Sequence, residues 1–275
     1  MKQPTVSVLM TIFNHQNYLK ESVRSVMNQS YKNWELITID NGSTDNSKKI
    51  LKTINDKRIK KFFLKKNIGR TKCLNLGLEK CKGKFIAILD SDDIANKNRI
   101  KIQLKQFSLN KKLWMLATDF NHIDHKGKII SYPKEKIDLK KNLYSKPRMF
   151  LLKNPVAHSS VMYKSLLIKK IGRYPVNYLY AQDYAFFLKT FKRYRIKILD
   201  QKLVNVRVLH KQSETVRALI TNRVITEHIK LLIWNITNFN TSLYEKFLII
   251  MGLIFKTTKL CIPKILISRR SKILN

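Results

Sequence analysis

Phe85-Ile86-Ala87-Ile88-Leu89-Asp90-Ser91-Asp92-Asp93 is the stretch on which the reading of this sequence turns. An unbroken apolar run of this length reads as a strand buried on both faces. It ends on three carboxylates within four residues. Like charges held together repel, so a fold keeps such a cluster where a cation compensates it. All-oxygen donors select Mg²⁺ or Mn²⁺, ions that also bridge to a diphosphate. Asp-x-Asp alone is a weak signal and also fits a solvated loop that caps a helix; its place directly behind a buried strand is what raises it.

Outward from this stretch the pattern repeats. Val6–Ile12, bounded by Pro4 and Asn14, is another apolar run, and Leu19, Val23, Val26 and Met27 follow at helical spacing. Trp34–Ile39 is a second strand that ends at Asp40-Asn41-Gly42-Ser43. Ser43 or Thr44 is suited to cap the next helix, with Ile50, Leu51 and Ile54 on its inner face. Lys61–Leu64 reads as a short strand and Arg70–Cys81 as a helix that stops before Gly83. Strand and helix alternate, which predicts a doubly wound, mostly parallel α/β sheet. Ligands of such sheets lie beyond the carboxyl ends of the strands. Thr11–His15, Asp40–Asp45 and Asp90–Asp93 are therefore expected to converge.

Beyond Asn96 the order loosens. A helix to about Leu109, a strand at Leu113–Thr118, a hairpin turn around Gly127, a helix at Asp183–Tyr194 and strand material at Ile196–Leu209 are expected. Asp119, His122, Asp124 and His125 look like a metal cluster, but the turn at Gly127 explains their polarity better. Phe186, Phe187 and Phe191 at helical spacing read as core. The expected organisation is a catalytic domain over 1–215, with halves 1–95 and 96–215, and a basic helical tail over 216–275.

The formal net charge is +37, from 55 Lys and Arg against 18 acids. Such an excess seeks anionic partners: nucleic acid, anionic lipid or phosphorylated substrates. Cys73, Cys81 and Cys261 form no CxxC pair, which points to a reducing compartment. No secretory signal is read at the start, and the longest uncharged apolar run, Phe247–Phe255, is nine residues where a span needs about 20. In the tail, Leu243, Phe247, Met251 and Ile254 share a helical face, and Lys256, Lys259, Lys264, Arg269, Arg270 and Lys272 surround it with charge. That mix suits a helix lying at an anionic membrane surface, or one packed on the catalytic domain. The expected location is cytoplasmic, peripheral at the inner face of the cell membrane.

Longer stretches resemble one family. Ser7-Val8-Leu9-Met10-Thr11-Ile12-Phe13-Asn14, with Tyr18-Leu19, Ser22-Val23 and Gln29-Ser30-Tyr31, is similar to the opening of family 2 glycosyltransferases with the GT-A fold. Ile39–Asp45 looks like their nucleotide-binding turn, and Asn67-Ile68-Gly69 with Leu74–Leu78 like the helix that follows. Leu89–Ile94 with Arg99 and Gln103 resembles their Asp-x-Asp motif and its helix. Asn154–Met162 and Gly172-Arg173-Tyr174 resemble the acceptor half, Gln182-Asp183-Tyr184 the catalytic acidic motif, and Val206–His210 with Ser213 the closing segment. The resemblance runs in order over about residues 4–215.

It implies an inverting transfer from a nucleotide-sugar donor, with uracil the expected base, to a saccharide or lipid-linked acceptor in cell-surface polysaccharide synthesis. Thr11, Phe13, Asn14, Asp40, Asn41, Asn67 and Asp90 would hold the nucleotide. Asp92 and His210 would hold Mn²⁺ or Mg²⁺, Asp183 would be the general base, and His158 and Gln182 would meet the acceptor. His158 reads equally as a satisfied structural histidine. Three departures stand out: Asn41 replaces the second acid of the nucleotide turn, Gln182 replaces the Glu of the catalytic pair, and Leu74 stands where an Arg is common. A basic nucleic-acid-binding protein fits the charge but not the strand-end acids, so no nucleic-acid partner is expected. A nucleotidyltransferase would want a Gly-rich loop after the first strand, where Phe13–Asn17 has no glycine. A processive synthase would need membrane spans.

Overall fold

Val6–Ile12 form strand β1, buried throughout except for Thr11, and Trp34–Asp40 form β2, buried along its whole length. A strand covered on both faces must satisfy its polar side chains internally. Thr38 Oγ1 accordingly donates to the Lys60 carbonyl (3.1 Å), and Glu35 Oε1 accepts from Ser7 Oγ (2.6 Å) and Lys82 N–H (2.7 Å). The computed structural model describes residues 3–130, 151, 154, 156–208, 223–239, 243, 246–247 and 249–254. It divides the chain into two units, Met1–Lys146 with Val156–Val208, and Pro147–Pro155 with Leu209–Asn275.

The first unit is built on a nine-stranded sheet. Besides β1 and β2 it contains β3 (Ile59–Phe63), β4 (Phe85–Ile88), β5 (Ile94–Ala95), β6 (Leu113–Ile123), β7 (Ile129–Ile130), β8 (Met162–Lys164) and β9 (Arg195–Arg207). The order is β3-β2-β1-β4-β8-β6-β9-β5, with β7 on β6. β3, β2, β1 and β4 run parallel, as the strand–helix alternation predicts. β8 enters antiparallel between β4 and β6, and β9 then pairs parallel with β6. β6 runs past the expected Leu113–Thr118 because it pairs with β9 along its length, polar residues included, and β9 matches the expected strand over Ile196–Leu209 to within two residues.

Helix α1 (Leu19–Met27) buries Leu19, Val23 and Val26, the face its spacing predicts. α3 (Arg70–Lys80) lies so close to the sheet that a Cβ on Gly77 would sit 2.3 Å from Leu9 Cδ1. α4 (Arg99–Leu109) and α5 (Leu166–Ile171) follow, and α6 (Gln182–Arg193) buries Phe186 and Phe187. The start of α2 (Ser47–Thr53) departs from expectation. Asp45 Oδ1 takes the Ser47 N–H (2.9 Å), because the hydroxyls of Ser43 and Thr44 are engaged by Asn14 instead. The turn at Gly127 joins β6 to β7, and Asp124 Oδ1 accepts the N–H groups of Lys126 and Lys128.

In the second unit, α7 (Arg223–Asn238) packs Leu232 against Leu151 and Ile249, with Ile236, Phe239 and Leu253 at the margin. Among the described residues no helix is long and apolar enough to cross a membrane.

Candidate active site

The register of the parallel strands decides where the polar clusters lie. Ile12 pairs with Asp40, and Leu9 with Ile88, so β1, β2 and β4 release their chains at one edge. Hydrogen bonds then tie the three loops together. Asn14 N–H donates to Ser43 Oγ (3.1 Å), and Asn14 Oδ1 accepts Thr44 N–H (2.8 Å). Gln16 N–H donates to Asp45 Oδ2 (2.9 Å), and His15 Nδ1 meets Ser91 Oγ at 2.7 Å. Asn14 adopts φ +56°, a left-handed conformation that Asn tolerates better than most residues.

In the β2 loop, Asp40 Oδ1 accepts the Ser43 N–H (2.9 Å), while its buried Oδ2 has no partner among the described residues. Both ends of the Asn41 amide are engaged: its Nδ2 donates to Asn67 Oδ1 (2.9 Å) and its Oδ1 accepts Ile68 N–H (3.0 Å). Gly42 lies between these elements at φ +72°, where a Cβ would stand 2.5 Å from the Lys66 carbonyl carbon. The Asn41 position thus fastens the loop that begins α3. Thr11 and Phe13 are half-buried at the end of β1.

The acidic loop contains three carboxylates with three different surroundings. Both oxygens of Asp90 take Arg70 Nη2 (2.9 and 2.8 Å). Burial raises the cost of ionising Asp90, but the guanidinium beside it, helped by His158, outweighs this and holds the carboxyl well below the usual range. Asp93 is buried; its Oδ2 takes the Ser159 hydroxyl, and its Oδ1 takes Arg207 N–H (2.8 Å). Burial, then the charges of Asp92 and Asp90, push Asp93 up. Asp92 meets no hydrogen bond or ion pair from another residue's side chain among the described residues, and burial leads the causes that raise it.

Arg70 was not singled out from the sequence. It opens α3 four residues before Leu74, on the same helical face, which is the signal that could have found it. Its side chain is 38% exposed, and its charge is stabilised first by Asp90 and also by Asp183 and Asp92. Asp183 lies half-buried in the first turn of α6, an end that favours negative charge. α3 holds the approach to it: Thr71 Oγ1 donates to the Tyr178 carbonyl (3.0 Å), and Asn75 exchanges two hydrogen bonds with the Tyr174 backbone (2.8 and 3.1 Å).

His158 is 7% exposed, with Nε2 3.0 Å from Tyr174 Oη and Nδ1 3.4 Å from Arg70 Nη2. Gln182 is also buried; with its amide turned to donate, it bonds the carbonyls of Leu179 and Tyr180. Both therefore support the loops around Asp90 and Asp183. Arg99, likewise buried, donates to the carbonyls of Ile88 and Val161 (3.0 Å each), and burial pushes it down to about 9. His210 lies outside the described residues.

Residues 7–172 match the sequence family described as glycosyl transferase family 2. The chain is a family 2 glycosyltransferase. Relatives agree: an uncharacterized glycosyltransferase of Haemophilus influenzae is 36% identical over 204 residues, covering 72% of this chain and 76% of that protein. One from Methanocaldococcus jannaschii is 31% identical over 219 residues, covering 78% and 74%. The glycosyltransferase also shares the GT-A fold with solved structures. S. aureus TarS 1–349 in complex with UDP-GlcNAc aligns with TM-score 0.71 at 21% identity, over 92% of this chain and 72% of that one. The mannosyltransferase PcManGT from Pyrobaculum calidifontis, in complex with GDP-Man and Mn²⁺, aligns with TM-score 0.67 at 14% identity, over 100% and 81%.

A divalent cation fits the donor set. Among the described residues no three His, Cys, Asp or Glu gather to hold an ion unaided. Asp92 is nevertheless a half-buried carboxylate oxygen donor whose two acidic neighbours already take hydrogen bonds from Arg70, Ser159 and the Arg207 N–H, the arrangement expected where one protein ligand shares an ion with a diphosphate.

Proposed function

We propose that this enzyme transfers a sugar from a UDP-sugar, with inversion, to a hydroxyl of a saccharide or lipid-linked acceptor in cell-surface polysaccharide synthesis. The observation that carries the reading is the unequal state of the three strand-end acids: Asp90 and Asp93 take hydrogen bonds from other residues, and the Asp92 carboxylate takes none from another side chain among the described residues. Asp92, with His210 as a further ligand, would hold Mn²⁺ or Mg²⁺, and the ion would supply Lewis-acid stabilisation of the departing diphosphate. The unpartnered Asp40 Oδ2 is suited to accept a base N–H, with Thr11 and Phe13 beside it. Asn14, Asn41 and Asn67 shape that nucleotide pocket through their hydrogen bonds. Asp90, held by Arg70, faces the ribose side. Asp183 takes the proton of the acceptor hydroxyl as it attacks the anomeric carbon. A base and a leaving group on opposite faces of the sugar give inversion. His158 and Gln182 fix the acceptor side from beneath. The test is a donor screen that reads UDP release in Mn²⁺, with and without membrane extract. Release that needs a UDP-sugar and disappears in Asp92→Asn supports the reading; equal release in EDTA overturns the metal role.

We also assign the tail to an anionic membrane, on the cytoplasmic face. Leu243 is 86% exposed, and Phe247, Met251 and Ile254 are exposed with it, whereas Ile249 is buried. The sequence that follows carries six Lys or Arg and no acid. Each such charge near an anionic leaflet contributes about 1 kcal/mol. Full-length protein should float with anionic vesicles and release in high salt, and a chain ending at Asn240 should not. Equal flotation of the truncated chain would assign the attachment to the main domain.

A further inference from the structure

Arg207 closes β9 with its side chain 1% exposed; the sequence places it in the closing segment but gives it no role of its own. Its guanidinium is spent on three elements. Nε donates to the Asp92 carbonyl (2.9 Å), Nη1 to the Asp124 carbonyl at the β6–β7 turn (2.8 Å), and Nη2 to Glu21 Oε2 on α1 (2.7 Å). The plane also covers the Tyr18 ring, 4.6 Å from its centre. Its backbone N–H meanwhile donates to Asp93 Oδ1. Asp93 Oδ2 takes the hydroxyl of Ser159, and that hydroxyl accepts the Asp90 N–H (2.9 Å). The backbones on both sides of the Asp92 side chain are thus fixed, one by Arg207 and one by Ser159, with Asp93 as the shared anchor.

The guanidinium, its charge paired with Glu21, thus holds the backbone of the acidic loop while leaving the Asp92 carboxylate itself untouched. Arg is suited to the task because its fork spans several oxygens in one plane, which a Lys ammonium cannot do. We infer that Arg207, acting through Asp93 and the Asp92 carbonyl, is a positioning residue for cation binding at Asp92. Ser159 completes the brace from the other side. The inference rests on the metal reading given above.

The experiment measures Mn²⁺ binding to the full chain in the presence of UDP, from the loss of the free-Mn²⁺ spin-resonance signal. UDP affinity without metal and the circular dichroism spectrum are recorded alongside. Outer-shell changes weaken metal binding by about 10–100-fold. Arg207→Met should fall in that range, and Arg207→Lys should recover only part of the loss. Ser159→Ala, which leaves Asp93 Oδ1 on the Arg207 N–H and every guanidinium contact of Arg207 in place, should weaken Mn²⁺ binding by the lower end of the same range. UDP affinity without metal and the fold should stay as in the wild type. If Arg207→Met does not fold, Ser159→Ala decides the matter. Wild-type Mn²⁺ affinity in Ser159→Ala and in any folded Arg207 variant overturns the brace. A wild-type chain that binds no Mn²⁺ with UDP instead overturns the metal reading itself, so the two failures are distinct.

Discussion

The two ends of the same parallel strands treat buried carboxylates in opposite ways. At the amino end, Glu35 is alone. Ser7 Oγ and Lys82 N–H satisfy one of its oxygens, and Ser7 Oγ in turn accepts Gly83 N–H (2.8 Å). The group closes on itself and contributes to stability. At the carboxyl end, Asp90, Asp92 and Asp93 are crowded into one turn; the Arg70 guanidinium pairs with Asp90, while the Asp93 carboxylate meets only the Ser159 hydroxyl and the Arg207 backbone N–H among the described residues. Burial is therefore not what separates a structural acid from a functional one. The difference is that Glu35 stands apart from other acids with donors at hand, while Asp92 stands between two acids and meets no other residue's side-chain donor among the described residues.

This contrast predicts which substitutions affect chemistry and which affect folding. The largest loss is expected for Asp183→Asn, about 10²–10⁴-fold in kcat, with UDP affinity nearly unchanged, because a base acts in the transition state. A parallel fall in UDP affinity, measured by calorimetry, would move Asp183 to the nucleotide site. Asp92→Asn should cost about 10³-fold in turnover, corresponding to several kcal/mol of charge stabilisation, with an unchanged melting temperature. Retention of most activity would erase the difference between the two ends of the sheet.

Gly42→Ala should have a smaller effect that tests the link between the loops. The substitution combines a left-handed backbone with a clash against the Lys66 and Asn67 backbone. The cost of that conformation, about 1–2 kcal/mol, should raise the donor KM by about tenfold more than it changes kcat. Unaltered donor KM would mean that the loop before α3 does not shape the nucleotide pocket. The smallest catalytic effect is expected from Glu35→Ala. It strands the donors of Ser7 and Lys82, so denaturant unfolding should show a loss of about 1–3 kcal/mol, with kcat/KM of the folded enzyme preserved. A loss of activity at full stability would show that the amino end also takes part in the reaction.

Much of the fold was legible because its signals are local. Side-chain periodicity distinguishes β1 and β2 from α1 and α3, and turn residues mark where the strands release their loops. The cap of α2 was misassigned for a non-local reason: Asn14, about thirty residues away, claims the Ser43 and Thr44 hydroxyls. The antiparallel entry of β8 was equally hidden, since three residues carry no period from which to read it.

The sequence by itself determined that three polar loops follow three apolar runs, that one loop holds an excess of acid, and that the tail is basic and amphipathic. Only the tertiary structure decided which donors each of those acids meets. Arg70 is twenty residues from Asp90 along the chain, and Arg207 is 115 from Asp92. The state of a carboxylate depends on charges and donors within a few ångströms through space, and spacing along the chain does not give those distances.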